Sequence, residues 1–379
     1  MKTRALLLGL LGAACGARLA TPPLLFPAAE AWRASAEVGL EGPLGSDGRR
    51  IVLARRDGSV EALDRTDGRS LWRRQHGLGQ VSAAEGVVLL RAEDGTVARL
   101  DPTNGRVAWT SETRVAGRAP VLLDGDLLFV HGAGLVALSL SEGREVWRAE
   151  DGADVSAPPV AAGARLFVGE EDGTLRCRDR ATGVTRWTLK TRSALRAPVV
   201  PDGERVLLGT SDGRFLSLTA DTGRIRWRWK LGADAIGAPV LFGRRSVLFA
   251  TLENVLYALD RGNGHLKWRA PVPSRPIDGP RLSGSAALLA CQEDEIVAFD
   301  ARTGRRLASL NAPAEIRTPP VLLGDRLYLG LRDRSVVAFG LDLTPSREVK
   351  LPRGPRPTPP PADAPERGRE RARDPVLQP

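Results

Sequence analysis

The sequence is short of the residues on which most catalytic chemistry rests. Its 379 residues include three cysteines, three histidines and two tyrosines. Cys15, Cys177 and Cys291 form no adjacent pair and no Cys-x-x-Cys-His haem-attachment motif. His76, His131 and His265 are scattered, without the spacing of a metal site. Long apolar runs are also missing. The run over residues 5–14 is too short to cross a membrane as a helix. Only five of the 55 basic residues are lysine, the rest being arginine.

The chain carries a net charge of +10, which raises the question of a nucleic-acid partner. The distribution argues against one. Residues 344–379 hold eight basic and five acidic side chains, the region before Trp32 adds a further +2, and no long basic run stands between. The basic Lys2 and Arg4 followed by the short apolar run read as a secretory signal over residues 1–15. Ala13-Ala14-Cys15 resembles a bacterial lipobox, with Gly12 where leucine is usual. Two outcomes stay open: acylation of Cys15, or cleavage that discards it. In the first case Gly16 favours the outer membrane over the inner. Cys177 and Cys291 fall in repeats three apart and are expected to stay unpaired, buried thiols.

What is present is a repeat. The phrase DGSVEALDRTDGRSLW (Asp57 to Trp72) returns as DGTVARLDPTNGRVAW, DGTLRCRDRATGVTRW, DGRFLSLTADTGRIRW and ENVLYALDRGNGHLKW. Trp32, Trp72, Trp109, Trp147, Trp187, Trp227, Trp268 and Ala308 follow one another at steps of 40, 37, 38, 40, 40, 41 and 40 residues. Such a period means a stack of small units. Each phrase has a short strand, an aspartate whose carboxylate can accept turn amides, a glycine for a positive φ, and a second strand carrying the tryptophan. A flat ring at one place per unit suits packing between neighbours. Pro43, Pro120, Pro158, Pro198, Pro239, Pro280 and Pro319 each stand before an apolar run and are expected at strand starts. The copy ending at Trp147 is worn, with Ser139 in place of the aspartate.

Four strands in about forty residues is the size of a propeller blade. The last unit has three strands, ending near Gly340, and no tryptophan. The missing strand lies at the other end of the chain, around residues 28–34, with Trp32 in place. The reading is all-β: an eight-bladed β-propeller over residues 24–343, closed by an N-terminal strand that completes the last blade. Closure also removes the exposed sheet edges of an open array. A tail over 344–379, rich in proline and arginine, lacks apolar residues to bury and is expected to be disordered.

The Ala-x-Asp-x-x-Thr-Gly-x-x-x-Trp phrase, clearest over Ala62–Trp72 and Ala258–Trp268, resembles the repeat of the pyrroloquinoline quinone propeller superfamily. That superfamily holds both dehydrogenases and noncatalytic scaffolds. The dehydrogenases resemble one another in a vicinal cysteine pair over the quinone, which this chain lacks. The resemblance within the superfamily is to the BamB family of outer-membrane protein assembly factors. It implies a noncatalytic periplasmic scaffold, a lipoprotein on the outer membrane through Cys15, with no cofactor and no metal. The implied partner is a BamA-like barrel assembly protein. Two loops carry the family's partner-binding pattern. Thr191-Arg192-Ser193-Ala194-Leu195-Arg196 matches its Ser-x-Leu-Arg part, and Asp234 matches the first of two aspartates, the second position being Ile236. The resemblance thus implies Leu195 as an apolar anchor and Arg196 and Asp234 as charged contacts, side by side on one rim. A secreted propeller binding another envelope partner is the alternative, and a quinoprotein dehydrogenase the remote one.

Overall fold

The computed structural model describes residues 23–149 and 154–345. Among them are eight four-stranded antiparallel sheets, the blades of a propeller. Blade 1 runs outward through Gly45–Ser46, Arg50–Ala54, Ser59–Asp64 and Ser70–Gln75. Blades 2 to 7 repeat this order over 80–112, 122–149, 160–190, 200–230, 235–271 and 281–311. Innermost strands of neighbouring blades touch, as Val160–Ala162 does Val200–Asp202.

Blade 8 takes Val321–Leu323, Arg326–Gly330 and Val336–Pro345 from one end of the chain and Pro23–Ala34 from the other. Trp32 pairs with Ala338, as Trp72 pairs with Ala62 in blade 1. The expected closure is therefore present. The closing pair is longer than expected, reaching Pro23 opposite Pro345.

The core is a series of slabs between blades. Val52, Ala62 and Trp72 of blade 1 meet Val88, Ala98 and Leu100 of blade 2 in one such slab. This explains a departure from the sequence pattern. Ser59–Asp64, expected to alternate, is buried over all but its last residue, because blades pack on both its faces. Alternation survives on outer strands such as Thr185–Lys190. The prolines also shift. Most stand just ahead of the innermost strand rather than in it, and Pro239 lies inside Ala235–Phe242 beside a break in register.

The repeated turn works as its residues suggest. The carboxylate oxygen of Asp64 accepts the Thr66 amide at 2.7 Å, and that of Asp101 accepts Thr103 at 2.7 Å. The worn copy keeps the turn through its backbone: the Gly143 amide donates to the Ser139 carbonyl at 2.9 Å. The tryptophans of the repeated series reach across to the next blade. Trp72 Nε1 donates to the Pro102 carbonyl at 2.8 Å, and Trp187 Nε1 to that of Ala220 at 2.9 Å. Trp32, Trp109, Trp147 and Trp227 make the same bond to Arg65, Leu140, Arg180 and Arg261. Trp268 Nε1 is the exception, buried without an acceptor.

The series ends at Ala308 for a structural reason. The next blade is number 8, whose third and fourth strands come from opposite ends of the chain. No tight turn joins them, so no turn glycine or carbonyl is offered to a ring. Leu25, fully buried, lies instead in the cluster that Ala308 packs against. Cys177 and Cys291, in blades 4 and 7, are free and buried, and burial pushes both thiols up to about 11.

Candidate functional site

Two kinds of segment share one face of the ring: connections from the outermost strand of a blade to the innermost of the next, and turns between a blade's two middle strands. The segments holding Leu195, Arg196 and Asp234 are of the first kind. The connection over 191–199 joins blades 4 and 5; the one over 231–234 joins blades 5 and 6.

The first connection is tightly tied. Thr191 Oγ1 donates to the Gly173 carbonyl at 2.7 Å, and Ser156 Oγ to the Leu195 carbonyl at 2.7 Å. The Ser211 amide donates to the Ala194 carbonyl at 3.1 Å. The loop crosses close over Gly173, where a Cβ would stand 2.5 Å from the Ser193 nitrogen. These bonds turn alternate side chains in and out. Leu195 goes in: it is 1% exposed and packs with Phe167, Leu175 and Val199. The expectation of an exposed apolar anchor is corrected by this burial. Leu195 fixes the loop to its own blades, in space left by Gly169, whose added Cβ would stand 3.0 Å from that of Leu195.

Arg196 goes out. Its side chain is 63% exposed and donates to Glu171 at 2.9 Å. That hydrogen bond, the charge of Glu171 and the charge of Asp234 raise the guanidinium above its ordinary value. Arg196 and Asp234 are thus electrostatic neighbours on the same rim. Asp234 is half-buried, its carbonyl accepting the Leu252 amide at 3.0 Å. Ile236 is half-buried against the core beyond it.

Glu171 was missed in the sequence. A spacing could have revealed it. Arg118 donates to Glu93 at 2.8 Å across the junction of blades 2 and 3, and 25 residues separate the partners in both pairs. Each arginine stands two residues before a proline, Pro120 or Pro198. The Arg196–Glu171 bridge is therefore a repeated device of the ring, and Asp234 is what singles it out.

Among the described residues, no group of three or more His, Cys, Asp or Glu side chains is placed to hold a metal ion. His131 is buried, and desolvation together with the Arg91 charge lowers it to about 4. Cys15 and the tail beyond 345 lie outside the described residues.

The family model described as outer membrane protein assembly factor BamB matches residues 28–150, 115–199, 172–314 and 252–344. The chain belongs to the BamB family. No curated protein matches it in sequence. Among solved structures, BamB from Moraxella catarrhalis superposes with a TM-score of 0.70 at 16% identity, covering 83% of this chain and 99% of that one. The quinohemoprotein alcohol dehydrogenase of Comamonas testosteroni superposes with a TM-score of 0.67 at 13% identity, covering 84% of this chain and 77% of that one. The computationally designed Ika8 protein gives 0.70 at 16%, covering 82% and 99%. At such identities the likeness establishes the propeller and leaves the chemistry to the residues.

Proposed function

We propose that the protein is a noncatalytic BamB-like scaffold that binds a barrel assembly protein of the BamA kind through the rim at Arg196 and Asp234. Cys15, if acylated after signal cleavage, would hold the ring at the outer membrane. The family match along the whole ring carries this reading. The rim supports it with an exposed cation and a neighbouring carboxylate on rigidly tied loops, the arrangement that gives a protein contact its orientation and on-rate. Cys177, Cys291 and His131 sit in the core, their ionisation suppressed by burial, which suits packing better than acid–base or nucleophilic work.

Burial of Leu195 and the absence of a second carboxylate at Ile236 favour a second reading, an interaction module for a different envelope protein. One experiment separates the two. The full chain, tagged at its C-terminus, is expressed in a Gram-negative host, extracted gently from membranes, and its co-purifying proteins are identified. Recovery of a barrel assembly protein, lost in Arg196→Glu and in Asp234→Arg, supports the scaffold. Recovery of another envelope protein with no barrel component supports the second reading.

A further inference from the structure

The junction of blades 8 and 1 holds a cavity of about 620 Å³ on the same face as the rim. Its walls come from the connections over 39–43 and 317–319 and from the middle-strand turns of both blades. Arg56, Arg317, Arg332 and Arg334 line it, with Leu40 and Leu331 as apolar wall. Glu41 is the one carboxylate in the lining.

The charges do not cancel locally. Glu41 lies 4.0 Å from Arg56 and also accepts from Arg118 at 3.4 Å. Glu315 serves two arginines, Arg332 at 2.7 Å and Arg317 at 3.4 Å. Arg334 donates to the Glu37 carbonyl at 2.6 Å across the junction, a bond that leaves its charge unpaired. The adjacent Asp333 accepts the amide and hydroxyl of Ser335 within its own turn. Four guanidiniums therefore face two shared carboxylates.

Arg334 is also held in an unfavourable backbone conformation. Its φ is +73°, at a turn position that Gly58, Gly95, Gly173 and Gly213 occupy in blades 1, 2, 4 and 5. The equivalence is shown by the turn bond. Arg334 donates its amide to Leu331 at 3.2 Å as Gly213 does to Thr210 at 3.2 Å. An L-residue there is strained where glycine is not. Backbone strain kept at a cavity wall, with the strained side chain bridging the junction, points to a role beyond the turn.

We infer that this cavity binds the carboxylate side chains of an acidic polypeptide segment. Arginine forks match carboxylates in bidentate fashion. The volume falls within the range of ligand pockets, about 300–1,000 Å³. The apolar wall at Leu40 and Leu331 suits the methylene groups of glutamate and its neighbours.

The test uses the full chain and a fluorescein-labelled peptide of alternating glutamate and serine, read by anisotropy. Saturable binding is expected, weakened by salt and by Arg334→Gly about tenfold. Arg334→Gly relieves the positive φ, so its melting temperature should equal or exceed that of the parent and misfolding is excluded as the cause. Arg196→Glu should leave peptide binding intact, which keeps this result separate from the fate of the rim. Equal binding by Arg334→Gly, equal binding of a lysine-serine peptide, or binding of inorganic pyrophosphate without the peptide would each overturn the inference.

Discussion

A Cβ added to Gly183 in blade 4 would stand 2.5 Å from Cε3 of Trp147 in blade 3. The same closeness recurs between Gly105 and Trp72, Gly223 and Trp187, and Gly304 and Trp268. The glycine of the repeated phrase thus meets two demands at once: a left-handed backbone and the absence of a side chain beneath the neighbouring ring. Gly163 isolates the first demand. Its φ is +60°, and an added Cβ would meet nothing within 4 Å. Gly163→Ala should cost about 1 kcal/mol from backbone strain alone. Gly183→Ala should cost a further ~1–3 kcal/mol, because the ring must move. Chemical denaturation of the two variants measures the difference. Equal costs would mean that the ring yields freely.

The tryptophans themselves offer a comparison. Trp187 and Trp268 are both half-buried, but only Trp187 has an acceptor for its indole nitrogen. Removing a satisfied donor strands its partner, while removing an unsatisfied one relieves a desolvation penalty. Trp268→Phe should therefore be less destabilising than Trp187→Phe by about 1–3 kcal/mol in an equilibrium unfolding series.

Most of the fold could be read from these residues because a closed ring turns one local interaction into a sequence period. Trp32 alone at the start and Ser335-Val336-Val337-Ala338-Phe339 without a successor at the end were enough to indicate closure. Burial was less legible. Leu195 stands in a connection beside Arg196 and reads as exposed, yet Gly169 leaves room beneath it, and that room depends on a strand 26 residues earlier in the chain. The same limit hid Glu171 as the partner of Arg196. Arg334 left a clear trace, Asp333-Arg334-Ser335 where blades 1, 2, 4 and 5 have Asp-Gly. Recognising it required aligning the turn between middle strands, a position the tryptophan phrase only brushes.

The blade 2–3 junction carries a pH-dependent term. Arg91, 1% exposed, donates to the carbonyls of Ala119, His131 and Val115 at 2.8, 2.6 and 2.8 Å. The adjacent His131 ring is buried, and desolvation together with the charge of that guanidinium holds it at about 4. In the unfolded chain a histidine titrates near ~6.5. The unfolded state therefore binds the proton first as pH falls. Stability from the neutral ring is complete above ~6.5, declines between ~6.5 and ~4, and levels off below, a loss on the order of 3 kcal/mol. His131→Gln should flatten the stability profile in that window. An unchanged slope would assign the acid loss to other groups.

The two equivalent rim bridges make a demanding control for partner binding. Arg118–Glu93 and Arg196–Glu171 share their spacing, their place before a proline and their exposure, and their arginine side chains are 61% and 63% exposed. Exposed bridges of this kind contribute about 0–1 kcal/mol to stability, so neither Arg118→Glu nor Arg196→Glu should shift the unfolding midpoint much. They differ in what lies beside them. Arg196 has Asp234 from the next connection within electrostatic reach, whereas Arg118 reaches back to Glu41. If the rim between blades 4 and 6 is the docking surface, Arg196→Glu should lower recovery of the partner at least about tenfold, as loss of a charged interfacial contact does, while Arg118→Glu leaves it near the parental level. Equal loss in both variants would shift the contact from a local site to the overall positive potential of this face, and raising the salt concentration would then abolish recovery for the parent as well.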